Sequence, residues 1–319
     1  MTGRGGARPL LSIVTTAFNE ELNLPLLYQE LFRVTGAMDV DVEWIIVDDH
    51  SRDNTYGVIA QLAASDPRVR GVRLSRNVGS HVAQFCGFSH ARGDCLAPMA
   101  ADLQHPPALL PELVERWRAG SQITWVARAG REGEAASVVA FSRLYFWIMR
   151  RFVGLSTMPA TGADFFLMDR AAADALLQFQ EANVNTLALL TWIGFRQETI
   201  SYDRPPRRHG KSGWSLEKKI KLVVDSVTAF TYKPIRLMSY AGLCFATLGF
   251  AYAALILYTK ATGHPVEGWA SLMVVVLVGG GLEMLMIGVL GEYLWRALDE
   301  SRRRPRYFVE ASTPGDPRV

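Results

Sequence analysis

The chain has 319 residues, 49% of them hydrophobic, and a net charge of +3 at neutral pH. That length allows one large domain or two ordinary ones, and so small a charge gives no reason to expect a nucleic-acid partner. Its three cysteines, Cys86, Cys95 and Cys244, show neither paired spacing nor a CxxC, which argues for reduced thiols and against a zinc site.

Met1 to Arg8 is Gly/Arg-rich and is expected to be disordered. The apolar run from Pro9 to Thr16 reads as a first strand, since no cleavage-like segment follows it as in a signal peptide. From there to about residue 230, short apolar runs alternate with helical patterns. Strands are predicted at Leu10–Thr16, Val42–Val47, Val69–Leu74, Cys95–Met99, Ile123–Ala127, Phe165–Met168 and Phe195–Tyr202. Helices are predicted at Leu24–Val34, Asn54–Ala63, Ser80–Ala91, Ala108–Trp117 and Ala171–Gln178. The alternation predicts an α/β domain with a mainly parallel sheet covered by helices on both faces. There is no GxGxxG after the first strand and no GxxxxGK[ST], so neither a dinucleotide fingerprint nor a P-loop is present.

Two strand ends carry acids. Trp44 to Val47 is an unbroken apolar run, as expected for a strand buried on both faces, and it stops at Asp48 and Asp49 followed by turn residues. The stretch Cys95 to Gln104 ends in the same way at Asp102. Ligands of open α/β sheets bind beyond the carboxyl ends of the strands, so these acids mark a site for a polar ligand and a metal. Asp102 and the side-chain oxygen of Gln104, at i and i+2, would lie on one side if the segment is extended.

Ser137 to Phe152 mixes aromatic residues with Arg143, Arg150 and Arg151. It reads either as a core helix with a basic edge or as a helix in a lipid headgroup region. The same choice applies to Lys218 to Arg236. Beyond it, Met238 to Tyr258 carries no charge and matches the roughly 20 residues that cross a bilayer. Trp269 to Leu290 is similar, interrupted by Glu283, and small residues such as Gly242, Gly249 and Gly279 to Gly281 suit close helix packing. Lys218, Lys219, Lys221, Lys233 and Arg236 precede the first span, and Arg296, Arg302, Arg303, Arg304 and Arg306 follow the second. The positive-inside rule therefore puts both long ends in the cytoplasm and only the loop Thr259 to Gly268 outside. The expected organisation is a domain over 1–213, a juxtamembrane helix over 214–237, spans within 238–295 (about 238–258 and 269–290) and a basic cytoplasmic tail over 296–319.

Several motifs follow one another in a familiar order. They are Ser12-Ile13-Val14 with Phe18-Asn19-Glu20-Glu21, Val47-Asp48-Asp49, Ser75-Arg76-Asn77, Asp102-Leu103-Gln104-His105-Pro106-Pro107, Ala163 to Arg170, the loop Arg204 to Trp214, and Gly291-Glu292-Tyr293 in the tail. Over nearly its whole length the chain resembles the family 2 glycosyltransferases, within them the dolichyl-phosphate mannose synthase and bacterial polyisoprenyl-phosphate glycosyltransferase branch. The resemblance implies a GT-A (Rossmann-like) fold with a two-helix transmembrane hairpin and a divalent metal, Mg²⁺ or Mn²⁺. It implies a UDP- or GDP-linked nucleotide-sugar donor, a polyisoprenyl phosphate acceptor and a place in a bacterial-type inner membrane. A homo-oligomer and a flippase partner are further expectations.

By the same resemblance Asp102 and Gln104 are metal ligands, and Thr16, Phe18, Glu20, Asp48, Asp49 and Asp102 contact the nucleotide. Asp164 stands where the family's base is placed, although a phosphomonoester is already largely dianionic at neutral pH and needs little deprotonation. Arg204, Arg207 and Ser212 would receive the lipid phosphate, Arg207 foremost, because the planar guanidinium matches phosphate oxygens. His105 is read as structural. One departure stands out: the family's Asp-x-Asp begins here with Ala100. Two rival readings are a processive polysaccharide synthase, which would carry a QxxRW where Arg116-Trp117 lacks the glutamine, and a non-catalytic scaffold on the same fold.

Overall fold

The computed structural model describes residues 8–128, 136–159, 163, 165–181, 185–202, 216–262 and 268–314. Two compact units emerge, one of residues 1–219 with 304–319 and one of residues 220–303.

The first unit is built on an eight-stranded sheet. Its strands are β1 (Leu10–Ala17), β2 (Asp41–Asp48), β3 (Val69–Leu74), β4 (Cys95–Pro98), β5 (Ile123–Arg128), β6 (Phe165–Asp169), β7 (Gln197–Tyr202) and β8 (Val309–Ser312), in the order β7-β5-β6-β4-β1-β2-β3-β8. The pairs β1/β2, β1/β4, β2/β3 and β5/β7 are parallel. The pairs β4/β6, β5/β6 and β3/β8 are antiparallel, so the sheet is more mixed than the alternating pattern suggests.

Seven of these strands coincide closely with the predicted ones; β1, β2, β4 and β6 are short apolar runs buried on both faces, whereas β7 (Gln-Glu-Thr-Ile-Ser-Tyr) buries only Ile200 and Tyr202. On one face Leu24, Leu27 and Leu31 of α1 (Leu24–Thr35) and Ile59 of α2 (Thr55–Ser65) join Trp44 and Ile46 in a closed core. On the other lies α3 (Ser80–His90), which sits tightly on β1 and β2 at Gly87. A Cβ there would come within 2.3 Å of Val14 Cγ1 and 3.2 Å of Val47 Cγ2, so only glycine permits this approach. The remaining helices of the unit are α4 (Leu110–Arg118), α5 (Ala136–Trp147), α6 (Arg170–Leu177) and α7 (Thr186–Trp192). Asp169 caps α6 by accepting the N–H of Ala171 at 2.8 Å.

The segment with aromatics and arginines is α5 continued by π-type turns over Ile148–Val153. Tyr145 and Met149 are buried, whereas Arg143, Leu144, Trp147, Arg150 and Arg151 are exposed. One side therefore belongs to the core and the other combines cations with apolar surface.

The part of the chain read from sequence only as a basic tail has more structure than its composition implies. The last helix runs on to Ser301, and after it the chain adds β8 to the edge of β3. Thr313 is buried and accepts the N–H of Gly71 at 2.8 Å, while Tyr307 Oη lies 3.0 Å from Ser89 Oγ. The guanidinium of Arg306 lies 4.7 Å above the Phe85 ring and donates to the carbonyl of Phe179.

The second unit holds the later part of α8 (Leu216–Phe230), α9 (Lys233–Ala261) and α10 (Trp269–Ser301). Within α9 and α10, Lys233–Thr259 and Leu272–Ser301 each contain an 18-residue stretch of high mean hydropathy, 1.8 and 2.3 respectively, and are long and apolar enough to cross a membrane. Small residues let the two helices meet: a Cβ at Gly279 would touch the Phe245 ring at 3.4 Å, and one at Gly242 would lie 3.5 Å from Met286 Cε. A groove of about 560 Å³ runs along them, and Glu283 is among its lining residues. Beside it, Tyr293 donates to the carbonyl of Thr231 at 2.7 Å, and Arg296 pairs with Asp225.

Candidate active site

The carboxyl ends of β1, β2 and β4 lie side by side and in register. Ala17 pairs with Asp48, Asp49 donates to the Ala17 carbonyl at 2.9 Å, and Met99 donates to that of Val14 at 2.8 Å. Just beyond each strand the backbone turns left-handed at a residue that is not glycine: Asn19 (φ 59°), His50 (φ 59°) and Leu103 (φ 62°). Such conformations are uncommon and persist where surrounding bonds hold them.

The holding bonds are visible. The turn after β1 and the turn after β2 are stitched together by Asn19 N–H to Ser51 Oγ, Glu20 N–H to Thr55 Oγ1, Arg52 N–H to Asn19 Oδ1 and Asn54 N–H to Glu21 Oε2, each at 2.9 Å. Glu20 itself accepts from Asn23 Nδ2 at 2.6 Å, so its carboxylate helps to build the turn. Thr16 is half-buried at the end of β1, and the Phe18 ring is exposed, free to offer a face to a ligand. Thr16, Phe18, Glu20, Asp48 and Asp49 therefore gather at one end of the sheet.

Asp48 and Asp49 divide the work. Asp49 accepts the N–H of Val78 at 2.7 Å with one oxygen and that of Gly79 at 2.9 Å with the other, fixing the loop between β3 and α3. Burial pushes its pKa up, opposed by these same backbone donors. Asp48 is fully buried; its Oδ1 accepts the N–H of Ser51 at 2.9 Å, and its Oδ2 has no hydrogen-bond partner. Arg73 forms an ion pair with Asp48, its Nε lying 3.8 Å from that oxygen. A buried carboxylate oxygen that accepts no hydrogen bond is costly and has the capacity for a further donor.

At the end of β4, Asp102 is half-buried and Gln104 buried. The segment is not extended, so the condition for placing the two side chains on one side is not met. It is a turn, with Leu103 left-handed and the Gln104 N–H donating to Asp102 Oδ1 at 3.2 Å. The i, i+2 geometry of a strand therefore does not apply to this pair. His105 accepts the Ala100 N–H at 3.0 Å and stacks on Phe165 at 4.9 Å, so it braces the turn from below, as read from the sequence. Among the described residues no group of three or more His, Cys, Asp or Glu side chains could cage a metal. A hard cation here would take Asp102 with oxygens of a bound diphosphate, a donor set that suits Mg²⁺ or Mn²⁺. Asp164, Arg204, Arg207 and Ser212 lie outside the described residues.

Three residues at this end went unnoticed in the sequence: Arg73, His50 and Glu310. Glu310 Oε2 lies 3.1 Å from Arg73 Nε and 3.4 Å from His50 Nδ1. Nothing in a linear reading relates a residue near the C-terminus to the end of the second strand.

Residues 12–177 match glycosyl transferase family 2, and residues 233–296 match the GtrB C-terminal hairpin. The chain is 37% identical over 300 residues to the Synechocystis protein named uncharacterized glycosyltransferase sll0501, covering 94% of each chain. It is 32% identical over 308 residues to the bactoprenol glucosyl transferase of Shigella phage SfII, covering 96% of this chain and 99% of that one. Among solved structures, glucosyl-3-phosphoglycerate synthase from Mycobacterium tuberculosis, in complex with Mn²⁺, UDP and phosphoglyceric acid, superposes with a TM-score of 0.49 at 18% identity, covering 68% of this chain and 77% of that one. With more than half of its length matched by the family and relatives of this identity aligned almost end to end, the chain is a glycosyltransferase belonging to glycosyl transferase family 2, with a C-terminal hairpin of the GtrB type.

Proposed function

We propose that the protein is an inverting glycosyltransferase that moves one sugar from a nucleotide diphosphate to a polyisoprenyl phosphate at the cytoplasmic face of a membrane. The observation that carries the reading is the union, in one chain, of a family 2 sheet with a hairpin of two membrane-length apolar helices. An enzyme whose acceptor is dissolved in the bilayer needs such an anchor, whereas one using two water-soluble substrates does not. The name of the phage relative, a bactoprenol glucosyl transferase, supports the same acceptor class.

The strand ends of β1 and β2 take the nucleoside, with Phe18 as an exposed ring and Asp48 and Asp49 as acceptors. Asp102, with Gln104, would hold Mg²⁺ or Mn²⁺, which would supply positive charge to a departing diphosphate. Asp164 orients the acceptor or the sugar, and Arg204, Arg207 and Ser212 receive the lipid phosphate, with Arg207 providing a fork of donors for its oxygens. The surface formed by Arg143 of α5 and by Arg150 and Arg151 of the turns that follow suits contact with anionic headgroups. Basic residues flanking both spans favour cytoplasmic termini and a multi-pass protein of the inner membrane. A homo-oligomer and a flippase partner complete the reading.

A donor screen tests it. Purified protein in detergent would be given UDP- and GDP-linked sugars with a short polyprenyl phosphate and Mg²⁺, and the lipid product weighed by mass spectrometry. Addition of one hexose is expected. Polymer formation, or no transfer from any donor, would reject the reading.

A further inference from the structure

We propose that Glu310, on the strand added after the membrane hairpin, is a positioning residue for the nucleoside diphosphate and acts through Arg73. The inference rests on the functional reading above, in which the ends of β1 and β2 take the nucleoside.

The geometry starts from an irregularity. Along β8, Ser312 pairs with Val72 and Ala311 with Arg73, but Leu74 pairs with Val309, so Glu310 is the extra residue of a bulge. Bulges re-aim side chains, and they gather next to active sites. Here the bulge directs the Glu310 carboxylate to Arg73 Nε at 3.1 Å and to His50 Nδ1 at 3.4 Å. On either side of it the strand is fixed, by the Phe308 carbonyl accepting the Ser75 N–H at 2.9 Å and by buried Thr313 on Gly71.

Arg73 Nε faces two carboxylates. It is within hydrogen-bond distance of Glu310 and stands 3.8 Å from Asp48 Oδ2, the buried oxygen that has no hydrogen-bond partner. The rest of the guanidinium leans over the Tyr56 ring at 5.6 Å and reaches the Ser51 carbonyl at 3.5 Å. One nitrogen cannot serve both acids well. Glu310 therefore draws Arg73 away from Asp48 and keeps Oδ2 available for a donor group of the incoming nucleoside. With Glu310 neutralised, Arg73 closes onto Asp48 and occupies the oxygen. Glu310 and Arg73 are partly exposed, at 48% and 26% of their side-chain surface, so the competition is tuned by solvent and is moderate in size.

The test is a double-mutant cycle on the full-length protein in detergent, reading UDP and GDP binding by calorimetry with Mg²⁺ and, separately, donor KM and kcat. Glu310→Gln should weaken binding of the preferred nucleotide by roughly three- to fivefold and raise donor KM equally, with kcat little changed. In an Arg73→Gln background the same change should have almost no effect on affinity, because the cation that would close on Asp48 is gone. An equal loss in both backgrounds, or no loss in either, overturns the proposal. So does a fall in melting temperature and kcat at unchanged affinity, which would make Glu310 a brace for the edge strand only. If the wild type binds neither nucleotide, the functional reading falls and this inference with it. If it binds one but transfers no sugar to polyprenyl phosphate, only the acceptor assignment falls.

Discussion

Asp49 holds Gly79 by its backbone, its Oδ2 accepting the glycine N–H at 2.9 Å, and through that bond the end of β2 fixes the entrance to α3. Gly79 has a φ of 89° and precedes the first residue of α3, and the neighbouring N–H of Val78 is bound by the other oxygen. Asp49→Ala should leave both donors unpaired and cost about 1–3 kcal/mol. The measurement is the thermal midpoint in detergent alongside nucleotide affinity, and both should fall. Asp49→Asn, which keeps one acceptor, should lie between wild type and alanine; a fully stable alanine variant would contradict the bracing role.

Asp102 and Ala100 separate two effects in the incomplete acidic motif. Asp102→Asn removes a charge from the proposed metal site, and transfer should drop by about two orders of magnitude or more, each tenfold corresponding to ~1.4 kcal/mol. Ala100→Asp restores an acid that the family normally has and should retain activity while lowering the metal concentration needed. Titrating transfer against Mg²⁺ and Mn²⁺ checks both, and full activity of Asp102→Asn at low metal would defeat the assignment.

The orientation of the hairpin is open to chemical labelling. Cysteine at Thr262, beyond the end of α9, should react with an impermeant thiol reagent added outside the cell, and cysteine at Ser301, the end of α10, should not. The native exposed Cys244 is replaced by serine in both. The opposite pattern would place the catalytic sheet on the wrong side for a cytoplasmic donor.

Glu283 sits in the middle of an apolar helix and lines the groove between α9 and α10. In a helix that crosses a bilayer, an acid at such a position costs several kcal/mol unless it faces protein. Glu283→Leu should change assembly or stability much more than the specific activity of the protein that survives. Light scattering and melting of detergent-solubilised protein give the readout, and wild-type behaviour in both would refute a pairing role.

Asp66 provides a pH-dependent element far from the reaction. Hydrogen bonds from Arg68 hold its carboxyl down at about 2, below the ordinary carboxylate value. A depressed acid contributes stability above its unfolded pKa and loses it as the pH falls through the folded one. Asp66→Asn should therefore lower the melting temperature near pH 7 by the equivalent of about 1 kcal/mol, reduced by solvent screening. The gap between wild type and variant should close between about pH 4 and pH 2. A gap of constant size across that range would show that the ion pair is not its source.

The strands β1 to β7, most of the helices that cover them and the two membrane-length helices were legible in the sequence, whereas α7 was not. Most are encoded locally, in short apolar runs, in the spacing of apolar residues along a helix or, for the last two helices, in length without a polar face. The sequence also located Asp48, Asp49 and Asp102 at strand ends, where a sheet of this kind meets its ligand. What each acid does depends on contacts between segments far apart in the chain. Asp48 and Asp49 are adjacent in sequence and chemically alike, yet one is held by the backbone of a distant loop and the other keeps a buried oxygen without a hydrogen-bond partner. The turn at Leu103 follows from contacts around His105, and no propensity announces it. The strand β8 is the clearest case. Its residues, Val-Glu-Ala-Ser, carry neither length nor an apolar pattern, and they become a strand because the edge of β3 offers unpaired backbone groups. That pairing places Glu310 beside Arg73, 237 positions away in the chain.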